Sequence, residues 1–231
     1  MRVLALDTTT RAGSLALADD GRVLLERAGD AGRSQAERFP TEIVDALSEV
    51  GWSTTDVDLF AVAAGPGSFT GIRIGIATIQ GLAFVHGKPI APVSALDALA
   101  AAAVAAVPDV ARLGVWMDAH RREVFSALYE VSAGAVRQIE QPTSGVPTEI
   151  LEQWTAVGLP TVICGDGAMT YRSALPAGVE ALAPPPLASY IARLAFEVAA
   201  RDATVSPAAL QPVYVRRPDV ELARERAAGQ S

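Results

Sequence analysis

The chain has 231 residues, a formal net charge of −7 and one cysteine, Cys164. That length allows one large domain or two small ones, and an acidic balance without any long run of Lys or Arg argues against autonomous nucleic-acid binding, which neutralises phosphates with basic surface. A lone cysteine excludes an intramolecular disulfide, residues 98–107 are too short an apolar run to span a bilayer, and Asp7 interrupts any signal-peptide core, so a cytoplasmic protein off the membrane is expected.

In chain order, residues 3–8 read as a strand that closes on the polar turn Asp7-Thr8-Thr9-Thr10. Ser14 to Ala18 and Val23 to Arg27 read as two more strands about an Asp20-Gly21 hairpin turn. A helix is expected from Ser34 to Val50, opened by a Ser34-x-x-Glu37 capping box and striped by Phe39, Ile43, Ala46, Leu47 and Val50. Pro40 lacks an N–H and should bend or restart it. Leu59 to Ala64 is a continuous apolar run, a buried strand ending at Gly65-Pro66-Gly67, and Ser68 then caps a helix over Thr70 to Val85. One stripe of that helix is Ile72, Ile76, Ile79 and Ala83. A second, of smaller residues, is Gly71, Gly75, Thr78 and Leu82, and only Arg73 and Gln80 leave a polar edge. A helix apolar nearly all round needs cover on two faces, so its second face asks for another domain or another protein.

A strand at 90–93 and a Ser94-capped helix ending before Pro108 complete a run of three strands, helix, strand, helix, strand, helix. A second run follows. Strands are expected at 113–118, 123–131 and 135–140, then a helix over Pro147 to Val157, a strand over Thr161 to Gly165 and a helix over Leu187 to Arg201. LALD ends at Asp7 and SLAL begins seven residues on, at Ser14; VWMD ends at Asp118 and FSAL begins at Phe125, the same offset. The expected class is therefore α/β, with two duplicated actin-like, ribonuclease-H-like (ASKHA) halves whose mixed sheets are flanked by helices. Residues 1–108 would form the first lobe. Residues 109–231 would form a second, smaller one, its C-terminal helix near 187–201 and the tail packing back on the first lobe. Pro184-Pro185-Pro186 reads as a stiff connector and Leu222 to Ser231 as a charged, frayed tail.

GPGSFTGIRIG from Gly65 to Gly75, on a helix continuing through Gly81-Leu82-Ala83, closely resembles the TsaB family, formerly YeaZ, of the bacterial tRNA threonylcarbamoyladenosine machinery. VLALDTT at Val3 to Thr9, MDAHRREVF at Met117 to Phe125 and QPVYVRR at Gln211 to Arg217 resemble it too, in order. The resemblance implies a catalytically idle paralogue of TsaD: a scaffold that forms a heterodimer with TsaD, which carries the metal and active site, with the ATPase TsaE completing the complex. That complex transfers a threonylcarbamoyl group to the adenosine beside the anticodon. The chain would homodimerise when alone, reach tRNA only through the complex and have no cofactor of its own, with ATP or ADP at the TsaD interface left open. The interface is placed on the helices 34–50 and 70–85, with Phe39, Ile43, Leu47, Ile72, Gly75, Ile76 and Ile79 contributing and the outward stripe of the second helix undecided.

Asp7, Thr8 and Thr9 stand where kinases and ATPases of this superfamily hold phosphate and Mg²⁺, and Gly65, Gly67 and Ser68 could turn backbone amides to an anion. No Gly-Lys-Ser/Thr follows, so there is no P-loop. A degenerate site is expected, its polar turn and close-packing glycines serving structure. Relatives of TsaD carry a His-x-x-x-His pair, whereas Ser34-Gln35-Ala36-Glu37-Arg38-Phe39 has no histidine, with Ser34 where many TsaB sequences have one. His86 and His120 fall in different halves, so no metal-ligand set is expected; His120 replaces what is more often arginine in the family. Asp118, Arg121, Arg122 and Glu123 read either as a functional Asp-Arg turn or as a solvated, salt-bridged hairpin. The alternative function is a stand-alone ATP-dependent kinase or ATPase, with Asp7 and two glycine turns, Gly65-Pro66-Gly67 and the strand-end turn Cys164-Gly165-Asp166-Gly167, holding ATP·Mg²⁺.

Overall fold

Strand β1 (Arg2–Asp7) is buried on both faces, with Val3 and Ala5 on one side and Leu4 and Leu6 on the other. Side chains alternate along a strand, so β1 must be covered by two layers. It centres a sheet of order β3-β2-β1-β4-β5, built from β2 (Ser14–Asp19), β3 (Arg22–Ala28), β4 (Leu59–Gly65) and β5 (Ile90–Ser94). The first three strands form an antiparallel meander, while β4 lies parallel to β1 and β5 parallel to β4. The computed structural model describes residues 1–132 and 134–216; Arg217 of the QPVYVRR motif and the tail from Leu222 lie outside the described residues.

The second sheet repeats the pattern as β10-β9-β6-β7-β8. Its members are β6 (Arg112–Asp118), β7 (Val124–Ser132), β8 (Ala135–Gly145), β9 (Val162–Cys164) and β10 (Glu180–Leu182). Again the first three are antiparallel, and β9 and β10 run parallel behind the first. The sequence reading stopped the third strand of this half at residue 140 and missed β10. A three-residue strand carries too little alternation to be seen, and β8 is only half-buried along its length.

Helices fill three layers. α1 (Gln35–Glu49) and α2 (Phe69–His86) cover the outer face of the first sheet, and Phe39, Ile43, Leu47, Ile72, Ile76 and Ile79 pack there against Leu4, Leu6, Leu15, Leu17, Phe60 and Val62. α4 (Pro147–Val157) and the short α5 (Asp166–Thr170) cover the outer face of the second, where Trp116 and Trp154 meet at 6.0 Å. Between the sheets lie α3 (Ala95–Ala106) and α6 (Ala188–Ala200), sharing one core with Val3, Ala61, Val93, Leu113, Val115 and Phe125. Alanine fills most of α3 because a helix wedged between two sheets has room for few larger side chains.

Local chemistry explains the ends. Ser68 accepts from the Gly71 N–H and Ser94 from the Asp97 N–H, both as N-caps. Ser34 occupies the N-cap of α1 but makes no side-chain cap bond, so the expected capping box does not form. Pro40 does not restart α1, which runs as one helix through it. Pro40 sits on the exposed side, so the Ala36 carbonyl it cannot serve faces water. After α6 the chain crosses back as a strap. Val205 and Ile90 exchange backbone bonds, Gln80 Nε2 donates to the Pro207 and Leu210 carbonyls, and the Val213 N–H donates to the Ala64 carbonyl. The thin polar edge of α2 thus holds the strap, through Gln80 here and through exposed Arg73, whose Nε donates to the Tyr214 hydroxyl.

Candidate functional site

The ends of β1 and β4 meet the start of α2, and the expected phosphate-type residues come together there. Asp7 is 1% exposed. Its Oδ1 accepts from the Thr9 N–H at 2.8 Å and the Thr9 hydroxyl at 2.6 Å, and its Oδ2 from the Thr10 hydroxyl at 3.2 Å. Burial pushes its pKa above the usual carboxylate range; the bonds from Thr9 and Thr10 act against that, and nearby Asp166 adds to it. Thr8 is fully buried, and its hydroxyl finds no partner.

The elbow is packed from both sides. A Cβ on Gly67 would come within 2.5 Å of the Thr9 Cβ, and the Ser68 N–H donates to the Thr9 carbonyl at 3.0 Å. A Cβ on Gly65 (φ +129°) would come within 2.3 Å of the Val213 carbonyl oxygen on the strap. In α2, a Cβ on Gly71 or Gly75 would strike the Thr8 carbonyl or hydroxyl, at 2.0 and 2.2 Å. The small-residue stripe therefore exists to seat α2 on the β1 turn.

The other half answers with the same backbone. Gly165, after β9, has φ +130°, and a Cβ there would lie 2.0 Å from the Trp116 carbonyl oxygen. Gly65-Pro66-Gly67 and Gly165-Asp166-Gly167 are corresponding turns. The signal, a Gly-x-Gly after the fourth strand of each half, is present in the sequence. Asp166 Oδ1 accepts from the N–H groups of Asp118 and Gly167 at 3.0 and 2.9 Å. Burial raises its pKa as well, with Asp118 contributing repulsion. Cys164 beside it is buried, its thiol pushed up to about 12, a poor nucleophile. Among the described residues no three His, Cys, Asp or Glu are placed to hold a metal ion, and no helix is long and apolar enough to cross a membrane.

Two further side chains escaped the sequence reading. Gln35 Nε2 donates to the Thr10 carbonyl at 2.8 Å. Arg38, 1% exposed, lies over the Phe39 ring, pairs with Glu42 at 2.6 Å and donates to the Ala12 carbonyl. Together they tether the loop after β1 to α1. The Arg38–Glu42 spacing of four was the available clue.

The seven residues expected at a partner interface are all placed inward. Phe39, Ile43, Leu47, Ile72, Gly75, Ile76 and Ile79 are spent in the chain's own core, all of them buried. The sheet beneath α1 and α2 takes both the isoleucine and the glycine stripes, because Thr8 fills the notch the glycines leave. The surface of α2 is instead Phe69, Arg73, Ala77, Gly81, Phe84 and Val85, with Phe84 and Val85 78% and 75% exposed. A groove of about 550 Å³ beside Phe84, floored by Gly87, Lys88 and Val205 to Pro207, extends that surface.

With the fold and this geometry in hand, comparison with known proteins is decisive. The model of the TsaD family, tRNA N6-adenosine threonylcarbamoyltransferase, matches residues 29–169. The tRNA threonylcarbamoyladenosine biosynthesis protein TsaB of Escherichia coli (strain K12) is 32% identical over 224 residues, covering 94% of this chain and 95% of that relative. The chain belongs to the TsaB family. The solved structure of YeaZ from Pseudomonas aeruginosa agrees, with a TM-score of 0.80 at 33% identity over 92% of this chain and 99% of that one. Component A of (R)-2-hydroxyglutaryl-CoA dehydratase from Acidaminococcus fermentans, at 14% identity and a TM-score of 0.51 over 87% of this chain and 99% of that one, shares the fold alone. The duplicated actin-like α/β class expected from the sequence is the class of this family member.

Proposed function

We propose that this chain is the non-catalytic scaffold of a tRNA threonylcarbamoyladenosine-forming complex, binding and activating a TsaD partner, with TsaE as third member. The observation that carries this reading is the outer face of α2. Phe84 and Val85 are largely bare, on a helix whose other sides are already packed. Val44, 59% exposed on neighbouring α1, adds to the same side of the first sheet. Apolar surface of this kind is covered in an assembly. The Asp7 turn supports a scaffold as well, since both carboxylate oxygens take donors from the chain's own threonines. The transfer chemistry, and any ATP or ADP at the boundary, then belong with TsaD.

Co-purification with the same organism's TsaD, followed by light scattering, tests this. Phe84→Asp and Val85→Asp are expected to leave the chain folded, because both side chains already meet water, and to weaken the heterodimer at least tenfold. The same variants should weaken the homodimer of the isolated chain, which we place on the same face. A chain that ignores TsaD and binds ATP·Mg²⁺ tightly on its own would replace this reading with a stand-alone kinase or ATPase.

A further inference from the structure

Between β6 and β7 the chain reverses over 119–123, and His120, Arg121 and Arg122 have φ of 58, 55 and 66° in succession. Positive φ at both central residues is the mark of a type I′ turn, where Asn-Gly or Gly-Gly normally stand. The β2–β3 hairpin, with Asp20 and Gly21 at 45 and 82°, keeps to that chemistry. Here both central residues are arginines.

The surroundings impose this conformation. The Ala119 N–H donates to the Glu123 carbonyl at 3.0 Å and the Glu123 N–H to the His120 carbonyl at 2.9 Å. Asp118 Oδ1 accepts from the His120 N–H at 2.9 Å and from the Tyr171 hydroxyl at 3.2 Å, and that hydroxyl sits against the Arg122 backbone N–H. On the other foot, Arg216 of the strap bonds Glu123 at 2.9 Å. Strain held this firmly points to a use for the side chains it displays, and Arg122 is displayed to solvent.

The strap carries the pattern onward. Two residues before Arg216, Tyr214 stacks on Phe69 at 5.5 Å and accepts from Arg73 Nε at 3.2 Å, while the Arg73 guanidinium lies 4.1 Å over the Phe69 ring. Guanidinium groups and rings thus alternate along one band of a chain whose net charge is −7. Arginine's planar fork matches phosphate oxygens.

We propose that this band, headed by Arg122, is the RNA-backbone contact of this subunit. The inference rests on the reading of the chain as part of a tRNA-modifying complex, in which exposed Arg122 supplies a phosphate contact.

The test uses the full chain assembled with its TsaD partner, with tRNA as the probe and binding followed by anisotropy across a salt series. Arg122→Gly gives the turn the residue its backbone favours and removes the cation. Its melting temperature should equal or exceed that of the unaltered chain and its assembly with TsaD should be unchanged. Its tRNA affinity should fall about tenfold, with the slope of log K against log salt shallower by roughly one. Arg122→Glu should fall further. Unchanged affinity and slope in both variants overturn the proposal. So does a loss that follows weakened binding to TsaD, which would make the band a protein contact. An unaltered complex that does not bind tRNA overturns the parent reading as well, whereas binding untouched by either variant overturns the assignment of Arg122 alone.

Discussion

At the scale of single residues, Asp7 shows how a motif that reads as catalytic can be absorbed by folding. Its carboxylate is almost wholly removed from water and is served by Thr9 and Thr10. Desolvation dominates and holds its pKa above the ordinary 3.8. For an acid whose pKa is raised by folding, the ionised form is the one the folded state tolerates less. Its destabilising contribution is therefore full above the folded pKa and is relieved as pH falls through the folded pKa toward the unfolded one. Asp7→Asn keeps an acceptor for Thr9 and removes the charge. The variant is expected to melt above the unaltered chain at pH 7, with the gap closing as pH is lowered toward 4; thermal melts across that range check it. If the variant is less stable at pH 7, the carboxylate is stabilised by something beyond Thr9 and Thr10. The residue types at positions 7–10 were legible as a polar strand end. The cover over Thr8 and the Ser68 N–H on the Thr9 carbonyl were not, because they depend on α2 arriving from about 60 residues away.

At the scale of elements, α2 is the instructive case. Its composition announced a helix apolar on two sides and left open which stripe faces out; both stripes turn inward. The stripe of Gly71 and Gly75 looked like a seam for a partner helix and is the seat for Thr8. Gly75→Ala should therefore cost about 1–3 kcal/mol through overpacking in the isolated chain, without any partner present. Adding Thr8→Ala removes both the clash and a hydroxyl that has no bond, so much of the loss should return. A double-mutant cycle by urea denaturation reads this coupling, and simple additivity of the two changes would refute the contact. The outward face, in contrast, carries its evidence in Phe84 and Val85, which stand apart from both stripes that were read as significant.

For the whole molecule, the two halves are joined by what lies between their sheets. Ser14 Oγ on β2 accepts from the Leu187 and Ala188 N–H groups, and Glu26 on β3 from that of Ser189, so the first half caps the last helix of the second. From the other direction, Tyr129 on β7 donates its hydroxyl to Asp97 of α3 at 2.7 Å. Burial raises the Asp97 pKa and the Tyr129 bond opposes that rise. Tyr129→Phe should cost about 1–3 kcal/mol by leaving the carboxylate without this donor. Because the lost bond serves the ionised form, the deficit should shrink as pH falls through the Asp97 pKa. Unfolding should stay a single transition in both proteins, since α3 and α6 belong to one core with both sheets. Two separated calorimetric transitions would contradict a shared core.

By itself the sequence determined the order of the elements other than α5 and β10, the duplication and the family, because alternation along strands, helical stripes, caps and glycine turns act over a few residues and leave a local record. Ser68, Ser94 and the Asp20-Gly21 turn are of that kind. The tertiary structure alone decided which face of α2 stays bare, that Gln80 and Arg73 hold the strap, and that Gly65 and Gly165 occupy one conformation in two halves. Those outcomes depend on which distant surface reaches a residue first. A stripe of small side chains is equally suited to a neighbour within the chain and to one outside it, and only the packed sheet settles which it meets.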